Sequence, residues 1–133
     1  MERVTGLGGV FFKADDPKAL VEWYVTHLGI ETDAHGYVTF KWGPSALFGS
    51  GGAEVSGSTV WNPFAASTTY FAPSPKPFML NYRVRDMGAM IAQLRAAGIE
   101  VTDAKDEPGF GSFAWLSDPE ENRIELWQPA EGM

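Results

Sequence analysis

The chain has 133 residues, enough for one domain with a real core, and its 44% hydrophobic content is that of a globular protein. It contains no cysteine, which excludes disulfide frameworks, thiolate nucleophiles and cysteine-based zinc or iron–sulfur sites. A net charge of −7 argues against nucleic acid and anionic membrane as partners, and no apolar run reaches the roughly 18–20 residues of a membrane span.

In chain order, M-E-R-V-T-G carries no apolar leader, so the expected location is cytoplasmic. V-F-F-K-A-D-D-P, Val10 to Pro17, alternates like a strand and ends at Asp16, a residue suited to cap a helix, with Pro17 at the first helical position. Leu20, Val21, Tyr24, Val25 and Leu28 then form an apolar stripe that stops at Gly29. His27 falls in the last turn of that helix, where a cation is favourable, and His35 falls in a turn. Strands are predicted over 37–42 and 58–63. The Gly- and Ser-rich stretch from Gly43 to Gly57 reads as a surface loop or a flap. Ala65 to Pro77 holds three prolines and reads as a linker.

The second half repeats the first. L-N-Y-R-V-R-D-M, Leu80 to Met87, ends at a second cap, Asp86; Met87, Met90, Ile91, Leu94 and Ala97 form the stripe, and Gly98 stops it. The next words agree, G-I-E-T-D from Gly29 and G-I-E-V-T-D from Gly98, and strands are predicted over 111–117 and 123–127. S-T-V-W-N-P-F and R-I-E-L-W-Q-P then close the two halves. Each half is a strand, a helix and two or three strands: module one spans about 5–64, a linker 65–77, and module two about 78–129. The modules are expected to share one core.

These words resemble the vicinal oxygen chelate superfamily, which includes glyoxalase I, bleomycin-resistance proteins and extradiol dioxygenases. The resemblance rests on G-V-F-F-K-A-D-D-P-K-A-L-V-E-W-Y-V-T-H-L-G-I and on F-x-W-L-S-D-P-E-E-N-R-I-E-L-W-Q-P, and it covers nearly the whole chain. It implies an α+β fold in which two βαβββ modules form a half-open barrel around a cavity. Metal-dependent members draw one ligand from the first and last strand of each module, and the matching positions here are Gly9, Thr59, Met79 and Glu125. A divalent site needs about three protein donors. Only Glu125 qualifies, so no metal or other cofactor is expected. The pattern often has Gly where Glu121 stands, which puts the shape of that turn in question.

Strand alternation places Phe11, Lys13, Trp61, Asn81, Arg83 and Trp127 on the cavity face as ligand-binding candidates, with Glu125 the candidate catalytic group. Trp61 and Trp127 stack on a ligand or simply fill the interior, and Arg83 is the expected partner of Glu125. No phosphate loop, nucleophile elbow or H-E-x-x-H is present, and G-L-G-G at Gly6 to Gly9 precedes a strand, which is the wrong context for a nucleotide. The leading expectation is a metal-free small-molecule-binding protein of the bleomycin-resistance type. The alternative is a lyase or isomerase resembling glyoxalase, with Glu125 as general base. A module that only dimerises is a third reading, and the superfamily resemblance implies a homodimer in any case.

Overall fold

The computed structural model describes residues 1–43 and 57–133, so the Gly43 to Gly57 stretch lies, apart from its two ends, outside the described residues. Seven strands and two helices follow one another as β1 (Val4–Ala14), α1 (Pro17–Leu28), β2 (Val38–Trp42), β3 (Gly57–Ala65), β4 (Phe78–Val84), α2 (Met87–Ala96), β5 (Lys105–Glu107), β6 (Gly111–Ser117) and β7 (Arg123–Pro129). All seven strands join one mixed sheet in the order β2-β3-β1-β4-β7-β6-β5. The sheet does not close into a barrel, and the fold is the half-open α+β arrangement of two strand–helix–strands units.

The register shows how the repeat builds the sheet. β1 and β4 meet antiparallel at its centre, with Gly9 opposite Asn81 and Phe11 opposite Met79. In each unit the last strand runs parallel to the first, β3 beside β1 and β7 beside β4. Such parallel neighbours need a crossover, and the helix supplies it.

Local chemistry sets the helix ends. Asp16 accepts a hydrogen bond from the Ala19 N–H at 3.1 Å, and Asp86 does the same for Ala89 at 3.0 Å. Gly29 closes α1 in the left-handed conformation, φ 69°, and its N–H reaches the Tyr24 carbonyl. The two helices are not equally anchored. α2 buries Met87, Met90 and Ile91 against Ala114, Leu116 and Leu126. α1 fully buries no residue; Tyr24 meets Trp61 at 4.8 Å between ring centres, while Trp23 and Leu28 stay exposed. On the opposite face of the sheet a second cluster forms from Phe11, Phe71 and Met79, with Val60 and Phe64 against it.

The turn between β6 and β7 is organised by the Asp118 carboxylate. Asp118 accepts hydrogen bonds from the N–H groups of Glu120 and Asn122, and its other carboxylate oxygen accepts from the Asn122 amide at 2.8 Å. Glu121 takes a φ of 67°, and among the described residues it is the one non-glycine with positive φ. The left-handed region costs an L-residue about 1–2 kcal/mol, of which the greater unfolded-state freedom of glycine would cancel about 0.5–1 kcal/mol. Glu121→Gly is therefore expected to stabilise the protein by up to about 1 kcal/mol in urea unfolding. Glu121→Ala, which keeps the strain, is expected to give no gain.

Candidate functional site

The face of the sheet opposite the helices carries a cavity of about 260 Å³. β1 and β4 form its floor through Phe11 and Asn81, β3 contributes Val60 and Asn62, and β6 and β7 contribute Phe113, Glu125 and Trp127. Its walls are mainly apolar and aromatic, as in small-molecule sites, and its size falls just below the roughly 300–1,000 Å³ usual for drug-sized ligands. Three larger grooves, one beside the C-terminal end of α2, one along α1 and one beside Arg83 and Gln128, are more open to solvent.

Glu125 is the polar centre. It is 2% exposed, and its carboxylate accepts three hydrogen bonds: from Asn81 Nδ2 to Oε1 at 2.7 Å, and from Tyr70 Oη and Trp115 Nε1 to Oε2 at 2.5 and 2.8 Å. Burying an ion costs several kcal/mol, and each charge-assisted hydrogen bond returns about 1.5–3 kcal/mol. Three donors therefore offset a penalty of that size with no counter-ion. Asn81 spends its amide N–H on Glu125, and its Oδ1 is buried without a partner. Gly8 lies against that oxygen. A Cβ there would also stand 2.9 Å from Trp127 Cε3 and 3.0 Å from Arg83 Cγ, so the position requires glycine.

Arg83 does not pair with Glu125, contrary to expectation. Parallel pairing of β4 and β7 sets Asn81 opposite Glu125 and Arg83 opposite Trp127. The guanidinium lies between the Trp42 and Trp127 rings, 5.0 Å from each centre, and Nη1 donates to the main-chain oxygens of Ser58 and Met133 at 3.1 and 3.0 Å. Burial pushes its pKa down from the ordinary arginine value. Arg83 thus stands behind Trp127 and is not part of the cavity lining.

Trp61 also faces the other way. It packs on Phe12 and Tyr24, at 5.2 and 4.8 Å between ring centres, on the helix side. The inward row of β3 is Val60, Asn62 and Phe64, because Phe11 pairs with Asn62 just as Asn81 pairs with Glu125. Aligning the two Trp-amide-Pro words put β3 out of phase by three residues, Thr59 in place of Asn62, and an odd shift reverses every side chain. Lys13, opposite Phe64, does not line the cavity either. Phe11, Asn81, Glu125 and Trp127 do line it.

Sequence reasoning missed Tyr70 and Trp115. Tyr70 belongs to the proline-containing segment read as a linker, yet its neighbour Phe71 is 1% exposed in the cluster with Phe11 and Met79. The Tyr-Phe pair inside that segment was the available signal. Trp115 was legible from alternation, since Ala114 and Leu116 pack under α2 and leave Phe113 and Trp115 to the other face.

The residues at the superfamily's metal positions do not fit a divalent ion. Met79 is 0% exposed in the apolar cluster, and Gly9 has no side chain. Thr59 Oγ1 is engaged with the Leu7 carbonyl and Trp42 Nε1, and Asn62, the true counterpart of Glu125, offers one neutral amide. Among the described residues no three His, Asp or Glu side chains converge, and neither histidine lines the cavity.

A family model described as a glyoxalase-like domain matches residues 9–127. The chain belongs to this family, within the vicinal oxygen chelate superfamily. Solved structures of the same fold include methylmalonyl-CoA epimerase from Mycobacterium tuberculosis, 22% identical, covering 96% of this chain and 89% of that one with a TM-score of 0.60. A Streptomyces coelicolor methylmalonyl-CoA epimerase variant in complex with 2-nitronate-propionyl-CoA is 16% identical over 96% and 99%, with a TM-score of 0.64. Catechol 2,3-dioxygenase is 18% identical over 97% of this chain and 40% of its own, with a TM-score of 0.63. At these identities the likeness is one of fold. No curated protein matches the chain. Among the described residues no helix is long and apolar enough to cross a membrane.

The Tyr70 phenol is held well above its ordinary value of 10.0, first by burial and then by the adjacent Glu125 carboxylate. A raised folded-state pKa means the contribution is complete below the unfolded value and is lost as pH rises above it. Stability of the wild type is expected to fall as pH rises above about 10, where the unfolded chain ionises its tyrosine. Tyr70→Phe is expected to flatten that slope and to cost about 1 kcal/mol at neutral pH, less than a fully buried charge-assisted bond because Tyr70 is 45% exposed. Urea unfolding at a series of pH values measures both.

Proposed function

We propose that this chain is a small-molecule-binding protein whose cavity takes one small planar ring system, and that it works without a divalent metal. The observation that carries the reading is the pairing of aromatic walls with a single buried carboxylate in a cavity of about 260 Å³. Phe113 and Trp127 lie parallel, 6.1 Å between ring centres with the planes 5° apart, and with Phe11 and Tyr70 they give the cavity an aromatic lining suited to a small planar ligand. The donor set argues against metal: Glu125 is the one carboxylate side chain that lines the cavity, and Gly9, Met79 and Asn62 add no second strong donor. The cytoplasm and a homodimer belong to the same reading, and the exposed Trp23 and Leu28 on α1 support an apolar contact between copies.

The second reading is an isomerase or lyase with Glu125 as general base. Tyr70, 2.5 Å from Glu125 Oε2, favours it by placing a proton donor beside the carboxylate. A base that makes an enolate also needs donors aimed at the developing oxygen. Tyr70, Asn81 and Trp115 already direct their N–H or O–H groups at Glu125 itself, which favours binding over this chemistry.

Protein purified without chelator is expected to carry substoichiometric Zn, Ni, Mn and Fe by elemental analysis, and to melt at the same temperature with and without a chelator. Small aromatic compounds are expected to raise that melting temperature. Stoichiometric metal whose removal lowers the melting temperature would overturn the metal-free reading. Wash-in of solvent deuterium next to a carbonyl, lost in Glu125→Gln, would promote the enzyme.

A further inference from the structure

The polar end of the cavity holds a negative charge and an orphaned acceptor, and among the described residues no positive charge faces them. Glu125 is 2% exposed, and its three partners, Tyr70, Asn81 and Trp115, are all neutral donors. An ionised carboxylate has about four acceptor positions, so one remains open. Asn81, also 2% exposed and lining the cavity, turns its amide N–H to Glu125 and leaves Oδ1 without a partner. Arg83, the buried cation on the same strand, is committed to Trp42, Trp127 and two main-chain oxygens. Two unfilled acceptor positions beside an unneutralised charge call for a ligand that brings N–H groups and positive charge together.

The walls make the same demand. Phe11, Tyr70, Phe113 and Trp127 line the cavity with aromatic groups, surroundings that suit a flat, weakly hydrated cation better than a compact, strongly hydrated one. Arg83 is a precedent within this molecule: a planar cation lies between two indoles, 5.0 Å from each, with no Asp or Glu side chain paired to it among the described residues. An anionic ligand would meet Glu125 directly, and the net charge of −7 favours the approach of cations.

We propose that the cavity is selective for a planar cationic nitrogen ligand, an amidinium or a protonated amino-heterocycle, with its ring among the aromatic side chains that line the cavity and its N–H groups directed to Glu125 and Asn81 Oδ1. This rests on the small-molecule-binding reading and adds the charge and donor class of the ligand.

Benzamidine, benzamide and benzoate share one shape and differ in head-group charge. Calorimetric titration of the chelator-treated full chain at neutral pH is expected to show benzamidine binding at least about tenfold more tightly than benzamide, with benzoate weakest. In Glu125→Gln the benzamidine preference is expected to fall to about twofold or less. A second readout uses the wild type alone: benzamidine is expected to shift the indole N–H resonances of Trp115 and Trp127 and to leave that of Trp23 in place. Benzamide binding as tightly as benzamidine, benzoate binding most tightly, an unchanged preference in folded Glu125→Gln, or shifts confined to Trp23 would overturn the inference and leave small-molecule binding standing. Absence of binding by all three compounds would overturn both.

Discussion

The carboxylate of Glu125 is buried without a counter-ion, and the surrounding structure is arranged to make that tolerable. Its three donors come from three different places in the chain: Asn81 on β4, Trp115 on β6 and Tyr70 on the segment that joins the two repeats. Removing any one would leave part of a buried charge unsatisfied, so the joining segment is under constraint despite its three prolines. Phe71, packed with Phe11 and Met79, fixes the backbone that presents Tyr70. Apolar burial anchors the segment, and the phenol then reaches the carboxylate at 2.5 Å. The close fit of Gly8 against Asn81 and Trp127 is part of the same arrangement, because a side chain there would displace the amide that holds Oε1.

A second buried charge is managed by different means. Arg83 is desolvated, and planar aromatic faces and two main-chain oxygens compensate in place of an acidic side chain. Trp115, Phe113 and Trp127 form a run of near-parallel rings, 6.3 and 6.1 Å apart, and the guanidinium and Trp42 extend it. Only a flat, weakly hydrated cation suits such a place, and a lysine ammonium would lose both the stacking and the fixed donor geometry. The sheet therefore buries an acid and a base on the same face, in neighbouring rows of the β4–β7 pair, without joining them. Register decides this, since each residue meets the one directly opposite.

What could be read from the sequence follows the range of the interactions concerned. Asp16, Asp86 and Gly29 were legible because caps and stops are settled within four or five residues. The α2 stripe was legible because Met87, Met90 and Ile91 share one helical face. The inward row of β7 followed from alternation within a single strand. The phase of β3 did not, because V-W-N-P and L-W-Q-P look alike while their strands meet the sheet three residues out of step. Tyr70 lies 55 residues from Glu125, and nothing local in either stretch signals the other. The Asn81–Glu125 and Arg83–Trp127 pairs likewise depend on a parallel register between strands 44 residues apart.

The corrected register gives the duplication its meaning. Counting from the cap residues, Phe11 corresponds to Asn81 and Lys13 to Arg83; through the parallel pairs, Asn62 corresponds to Glu125 and Phe64 to Trp127. The second module holds the charged members of the site, and the first answers them with a ring, an amide and an outlying lysine. A four-ligand metal centre needs both modules to supply strong donors symmetrically about the pseudo-two-fold axis at β1 and β4. Here the contributions are separated, with polarity on the second module and apolar surface on the first. A ligand bound between them would meet a polar anchor at one edge and rings along its faces, so its orientation would be fixed by a single carboxylate. The symmetry of the fold survives in the backbone, and the side chains have divided the cavity into two unlike halves.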